Sequence, residues 1–359
     1  MSTKKTVLVM VGTRKGAFIY RSDEARTEWA VSGPHFPGWS AHHLQYDGRN
    51  GRLFAVLDHM VYGANLHYSD DMGESWQISE GLQLPDGKAV PRLWHVLPGH
   101  PDRPDTVWLG GDPGILFRSA DKGASWQIVD GIFEHPTREN WMAGAGGMMV
   151  HTIVQDPTEA DRLYVAISAA GVFRSDDGGE TWQPKNRGVL ATFLPDNYPE
   201  VGQCCHHLVM SPTDPGLLFQ QNHCGVFRSS NGGDSWEDIG EGLPAIFGFP
   251  IGINQSQPQT IFVIPQQSDE FRYTVDGKLR VYRSKDGGES WTALTNGLPQ
   301  ENAYQNIYRE AMATDGYENG GVYFGTSSGQ LYASRDNGDS WELLSGTLPP
   351  IYAVETALI

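Results

Sequence analysis

Seven spaced copies of one octet, short β-branched runs around each copy, and a solitary strand-like segment at the C-terminus predict an all-β chain. The architecture they point to is a seven-bladed β-propeller of four-stranded antiparallel blades, its ring closed by pairing the N- and C-terminal strands. The octet Ser-x-Asp-x-Gly-x-Ser/Thr-Trp occurs at Ser69–Trp76, Ser119–Trp126, Ser175–Trp182, Ser284–Trp291 and Ser334–Trp341. Ser229–Trp236 carries Asn231 in the Asp position, and Ser22–Trp29 keeps the Ser and the Trp. The starts are 47, 50, 56, 54, 55 and 50 residues apart, so seven units tile residues 1–359 as a single domain.

The elements follow in the same order in each unit. Around the third full octet they read Val150–Val154, Arg162–Ile167, the small turn Ala169-Ala170-Gly171, Val172-Phe173-Arg174, the octet, and Trp182-Gln183-Pro184. Alternating β-branched and aromatic residues bounded by Gly, Asp and Asn are strand and hairpin signals, so each unit is a four-stranded meander. The first unit begins at its second strand, Thr6–Val11, and lacks a first one, which the leftover segment Tyr352–Leu358 can supply. Closing the ring in this way removes two sheet edges that would otherwise recruit other chains.

Composition narrows the function classes. With 26 basic and 43 acidic residues the net charge is −17, which repels phosphate backbones and anionic lipid, so nucleic acid and membrane surfaces are not expected partners. The run Val7–Val11 is too short for a signal core or a spanning helix, and Cys204, Cys205 and Cys224 form no disulfide framework, so the expectation is a cytoplasmic protein.

The octets resemble the Asp-box, or BNR, repeats of sialidases, xyloglucan-cleaving glycosidases, sortilin-type receptors and photosystem assembly factors, and the resemblance runs along essentially the whole chain. It implies a hairpin between the third and fourth strands, with the Asp side chain bonding turn amides and the Trp packed between blades. The boxes therefore specify architecture and say little about chemistry.

Candidate chemistry is sought at the starts of the innermost strands, aligned by the Asp or Pro that ends them. Counting back from Asp47, Pro101, Pro157 and Pro212 brings His42, His95, His151 and His206 into one register, with Glu310 of the last blade and Glu355 of the leftover C-terminal strand near that level. Four imidazoles from rigid strands are good ligands for one divalent transition metal (Fe, Cu, Zn or Mn), with carboxylates orienting the rings. An alternative is that each histidine bonds a neighbouring carbonyl. His43 and His207 point to the opposite strand face and read as packed side chains. Cys205, Cys224 and His223 could add soft ligands beside His206, although no CxxC spacing supports this.

Asp58-His59, Asp112 and Asn222-His223-Cys224 fall in turns on the same rim, and the long connections Gly131–Met149 and Asn186–Cys204 would wall a pocket above His151 and His206. Trp141, Tyr198, Arg309 and His223 are candidate substrate contacts, and Glu310, Glu355 and Asp58 candidate catalytic groups. The reading carried forward is a metal-dependent enzyme, whether oxidoreductase, lyase or hydrolase, acting on a small polar molecule or carbohydrate. The alternatives are a glycoside hydrolase using a carboxylate pair and a non-catalytic protein-binding propeller. Sialidase chemistry needs three converging arginines, and the aligned inner strands offer one, Arg309.

Overall fold

Alternating buried side chains and glycine-marked turns produce strands almost throughout. A computed structural model describes residues 5–144 and 146–359, which leaves Ala145 of the glycine-rich run 144–147 outside the described residues. The strands form seven four-stranded antiparallel sheets, the blades of the expected propeller. The chain divides into two compact units, one running up to Gly48 and resuming at Ile239–Ile359, the other Arg49–Asp238.

In the first unit the terminal strands share a sheet, with the order Ile351–Leu358, Val7–Thr13, Gly16–Ser22, Ala30–His35. Val7 faces Leu358 and Val11 faces Val354. All seven residues of Val7–Thr13 are buried, which is why this strand reads as a continuous apolar run rather than an alternating one. The worn box keeps its tryptophan for packing: Trp29 meets Tyr20 and Tyr323 edge-on, with centroids 6.4 and 5.9 Å away. A buried ion pair, Arg26 to Asp315 at 2.9 Å, joins this blade to the last, and Tyr323 donates its hydroxyl to the same carboxylate at 2.8 Å.

In the second unit, blades three, four and five begin with Arg92–Pro98, Val150–Gln155 and Cys205–Met210. Apolar residues of neighbouring blades interdigitate: Trp108 and Leu116 pack with Ile153, Phe173 and Trp182. Contact between blades is close enough that a Cβ on Gly110 would lie 2.3 Å from the Val150 carbonyl oxygen. Only glycine fits there.

The box works as a hydrogen-bonded turn. At Ser175–Trp182 the Ser175 hydroxyl donates to Asp177 Oδ1 at 2.8 Å and accepts the Gly179 amide at 2.8 Å. Asp177 then takes the Thr181 amide at 2.9 Å and its hydroxyl at 2.6 Å. These donors favour the ionised carboxylate and hold Asp177 below its ordinary range against the opposing effect of burial. Asn231 keeps the acceptor half of the pattern and reverses the other half, donating its amide to Ser235 Oγ at 2.9 Å. The indole of Trp236 in blade five donates to the Lys185 carbonyl of blade four at 2.8 Å, so the boxes also fasten blades together.

Candidate functional site

The histidine register is shifted by one residue in blade three. Pairing with the next strand skips a residue in three successive blades: Leu93 faces Gly111 but His95 faces Gly110, Val150 faces Ile167 but Thr152 faces Ala166, and Cys205 faces Asn222 but His207 faces Gln221. The bulged residues are Trp94, His151 and His206, and His95 is the equivalent of Thr152 and His207. The cause lies in the turn, where Gly99 and His100 separate the strand from Pro101 while Asp156 or Ser211 alone does so in the next two blades. An alignment anchored on proline therefore slides by one.

The aligned histidines also do different work. His151 is fully buried; its Nε2–H donates to the Cys205 carbonyl at 2.9 Å and its Nδ1 faces the Thr152 hydroxyl at 2.9 Å. Both nitrogens are engaged, so as placed this ring has no lone pair to offer an ion. His42 lies in the first unit and stacks on Tyr352, centroids 5.3 Å apart and planes 7° from parallel. The four-histidine metal centre expected from the sequence is thus not supported. His206 is grouped instead with Cys204 and His223, their ligand-type atoms all within 4.8 Å of one another.

Cys204 is the ligand-type residue that CxxC spacing does not single out. The two cysteines singled out face elsewhere: Cys205 Sγ lies 3.7 Å from the His207 carbonyl oxygen, and Cys224 Sγ lies 3.5 Å from Thr192 Oγ1.

In the first unit, His43 is fully buried and donates from Nε2 to Glu355 Oε1 at 3.2 Å. Burial pushes its pKa down to about 4 even though Glu310 pulls the other way, so the ring is neutral at pH 7. Glu355 does orient an imidazole, but that of His43 rather than His42. Glu310 is 1% exposed, which keeps it from touching a substrate directly; its carbonyl accepts the Val354 amide at 2.8 Å. Arg309 beside it is half-buried.

The rim of the second unit carries a polar series that only the strand register reveals. Leu53, Val107, Leu163 and Leu218 each face the serine that opens their own box. Five residues further on, at the end of the second strand, stand Asp58, Asp112, Ser168 and His223. Asp112 lies 3.5 Å from Arg92, and the Gly146 carbonyl caps that guanidinium at 3.1 Å. Burial pushes the Asp112 carboxyl up and outweighs the opposing pull of Arg92 and of the Met148 amide. Next to Asp58, His59 stacks on Tyr62 at 4.9 Å, and Tyr62 is 69% exposed.

The long connections are packed more than poised. Trp141, expected to contact substrate, is 5% exposed and lies against His135 and Phe173, while Arg138 covers its ring and bonds Gly114. Tyr198 is exposed, and Phe193 meets the His223 ring at 5.0 Å.

Repeated boxes on seven four-stranded sheets define an Asp-box repeat β-propeller. In agreement, residues 173–184 match the BNR/Asp-box repeat model. The chain is 25% identical over 272 residues to a xyloglucanase of Paenibacillus sp, covering 61% of this chain and 25% of that protein. It is 24% identical over 231 residues to xyloglucanase Xgh74A of Acetivibrio thermocellus, covering 53% and 27%. The chain thus spans about a quarter of the length of these relatives. An ancestral GH74 enzyme of known structure superposes with a TM-score of 0.61 at 18% identity, over 84% of this chain and 38% of that one, a likeness of fold.

Proposed function

We propose that this chain is a glycoside hydrolase acting on a β-glucan of the xyloglucan class, with Asp112 as general acid and Asp58 as the second carboxylate. Asp112 is the observation that carries the reading. Its carboxyl is pushed up by burial, whereas Asp71, Asp121, Asp177, Asp286 and Asp336 of the boxes are all held down by their hydrogen bonds. A carboxyl shifted upward holds its proton to higher pH than an ordinary one, which is the direction a general acid at a leaving glycosidic oxygen needs. The similarity to xyloglucanases supports the substrate class.

Glycosidic cleavage needs two carboxyl groups in different roles. Asp112 would give its proton to the departing sugar oxygen, and Asp58 would attack the anomeric carbon or activate water for that attack. Arg92 holds Asp112 in place under the Gly146–Gly147 segment. Tyr62, braced by His59, offers an exposed aromatic face for stacking on a sugar ring.

Release of reducing ends from xyloglucan, with cellulose and an unbranched β-glucan in parallel, tests the reading. Xyloglucan is expected to be cleaved, at the same rate with and without a chelator. No release from any of the three would overturn it.

A further inference from the structure

We propose that Cys204, His206 and His223 bind one zinc ion, at a site separate from Asp58 and Asp112 and independent of the glycosidase reading. Three segments of the second unit build it. Cys204 immediately precedes the strand Cys205–Met210, His206 is the extra residue of that strand's bulge, and His223 opens the turn between Leu218–Asn222 and Gly225–Ser229. The His223 amide donates to the Cys204 carbonyl at 3.0 Å, which ties the turn to the strand entrance. A bulge turns a side chain away from its regular pleat direction, and here it turns His206 toward that turn.

The donor set selects the ion. One thiolate and two imidazoles suit a borderline-soft cation and offer nothing to calcium or magnesium, which take oxygen ligands. In a tetrahedral zinc site, bonds of about 2.0–2.3 Å put neighbouring ligand atoms roughly 3.3–3.6 Å apart. The three atoms here lie within 4.8 Å of one another, so small side-chain rotations close the remainder. The rings of His206 and His223 stand at 70°, with centroids 5.9 Å apart, an edge-to-face relation rather than a parallel stack.

Burial is graded across the site: His206 is 3% exposed, while Cys204 and His223 are half-buried. An ion held there has protein on the His206 side and room for water or another ligand at a fourth position on the other. Three protein ligands with one open position is the arrangement of a zinc site that exchanges its fourth ligand. The ion would also link the end of the 186–204 connection to the blade-five turn.

The test is cobalt substitution in the full chain. Chelator-treated protein titrated with Co(II) should take up one equivalent, with tetrahedral visible bands and a near-ultraviolet thiolate-to-cobalt charge-transfer band, all displaced by one equivalent of Zn(II). Cys204→Ser should lose the charge-transfer band, and His223→Ala should weaken binding at least tenfold. Cys224→Ser, next to His223 in the chain but with its thiol turned to Thr192, should keep both. Thermal melts of the metal-free variants establish that each is folded, and added zinc should raise the melting temperature of the wild type and not of Cys204→Ser. Absence of the thiolate band in the folded wild type, or its persistence in Cys204→Ser, overturns the proposal.

Discussion

The Nε2–H of His151 donates to the carbonyl oxygen of Cys205 at 2.9 Å, fastening the innermost strand of blade four to that of blade five. Histidine suits the position because one nitrogen reaches across the gap while the other meets the hydroxyl of its own neighbour, Thr152, at 2.9 Å. His151→Ala leaves the buried Cys205 carbonyl without this donor and opens a cavity. The expected cost is about 2–4 kcal/mol. Urea unfolding followed by tryptophan fluorescence measures it, and a loss below about 0.5 kcal/mol would contradict the strut.

The boxes make a second prediction. Asp177 accepts from Ser175 and from both the amide and hydroxyl of Thr181, so Asp177→Ala should destabilise the chain by about 1–2 kcal/mol while leaving the far-ultraviolet circular dichroism unchanged. Acid should act on the boxes that carry the aspartate together. Asp71 and Asp286 are held at about 2 in the folded chain, against an ordinary value of 3.8. Their contribution is therefore complete above about pH 4 and lost as pH falls toward 2. Thermal melts across that interval should show a falling midpoint, less steep in Asp286→Asn.

His43 produces a different pH dependence. Its folded pKa is about 4 against 6.5, so as pH falls the unfolded chain takes up this proton first. Stability contributed by the neutral ring is complete above about pH 6.5, declines between 6.5 and 4, and is constant below. His43→Gln, which retains a donor toward Glu355, should flatten stability over that interval. An unchanged slope would show that the ring titrates alike in both states.

Most of the architecture was legible because the box is a short local pattern whose serine, aspartate and tryptophan each have a fixed partner nearby. Seven copies place the hairpins, and the missing first strand in blade one points to Tyr352–Leu358, where the structure has the strand Ile351–Leu358. The site was less legible, because it depends on register. A bulge is invisible in a sequence count, and the extra residue at Gly99-His100 moved His95 into the wrong column. Asp58 and Asp112 both stand out in the sequence, yet their equivalence appears only when each is counted from the residue facing its own box serine. Trp141 differs from its expected role for a related reason: long connections suggest lids, but this one folds back and buries its largest side chain against Phe173. Cys204 gave a signal, the Cys-x-His spacing at a strand entrance, that no two-cysteine motif captures.

The most direct measurement is turnover of a defined xyloglucan oligosaccharide by the wild type, Asp112→Asn and Asp58→Asn as a function of pH. A general acid is worth roughly 10²–10⁴-fold, so Asp112→Asn should lose at least a hundredfold in kcat. It should also lose the decline in rate that the wild type shows as pH rises through the elevated pKa of Asp112. Asp58→Asn should be comparably slow. Full activity in Asp112→Asn, or an unaltered alkaline limb, would contradict the assignment.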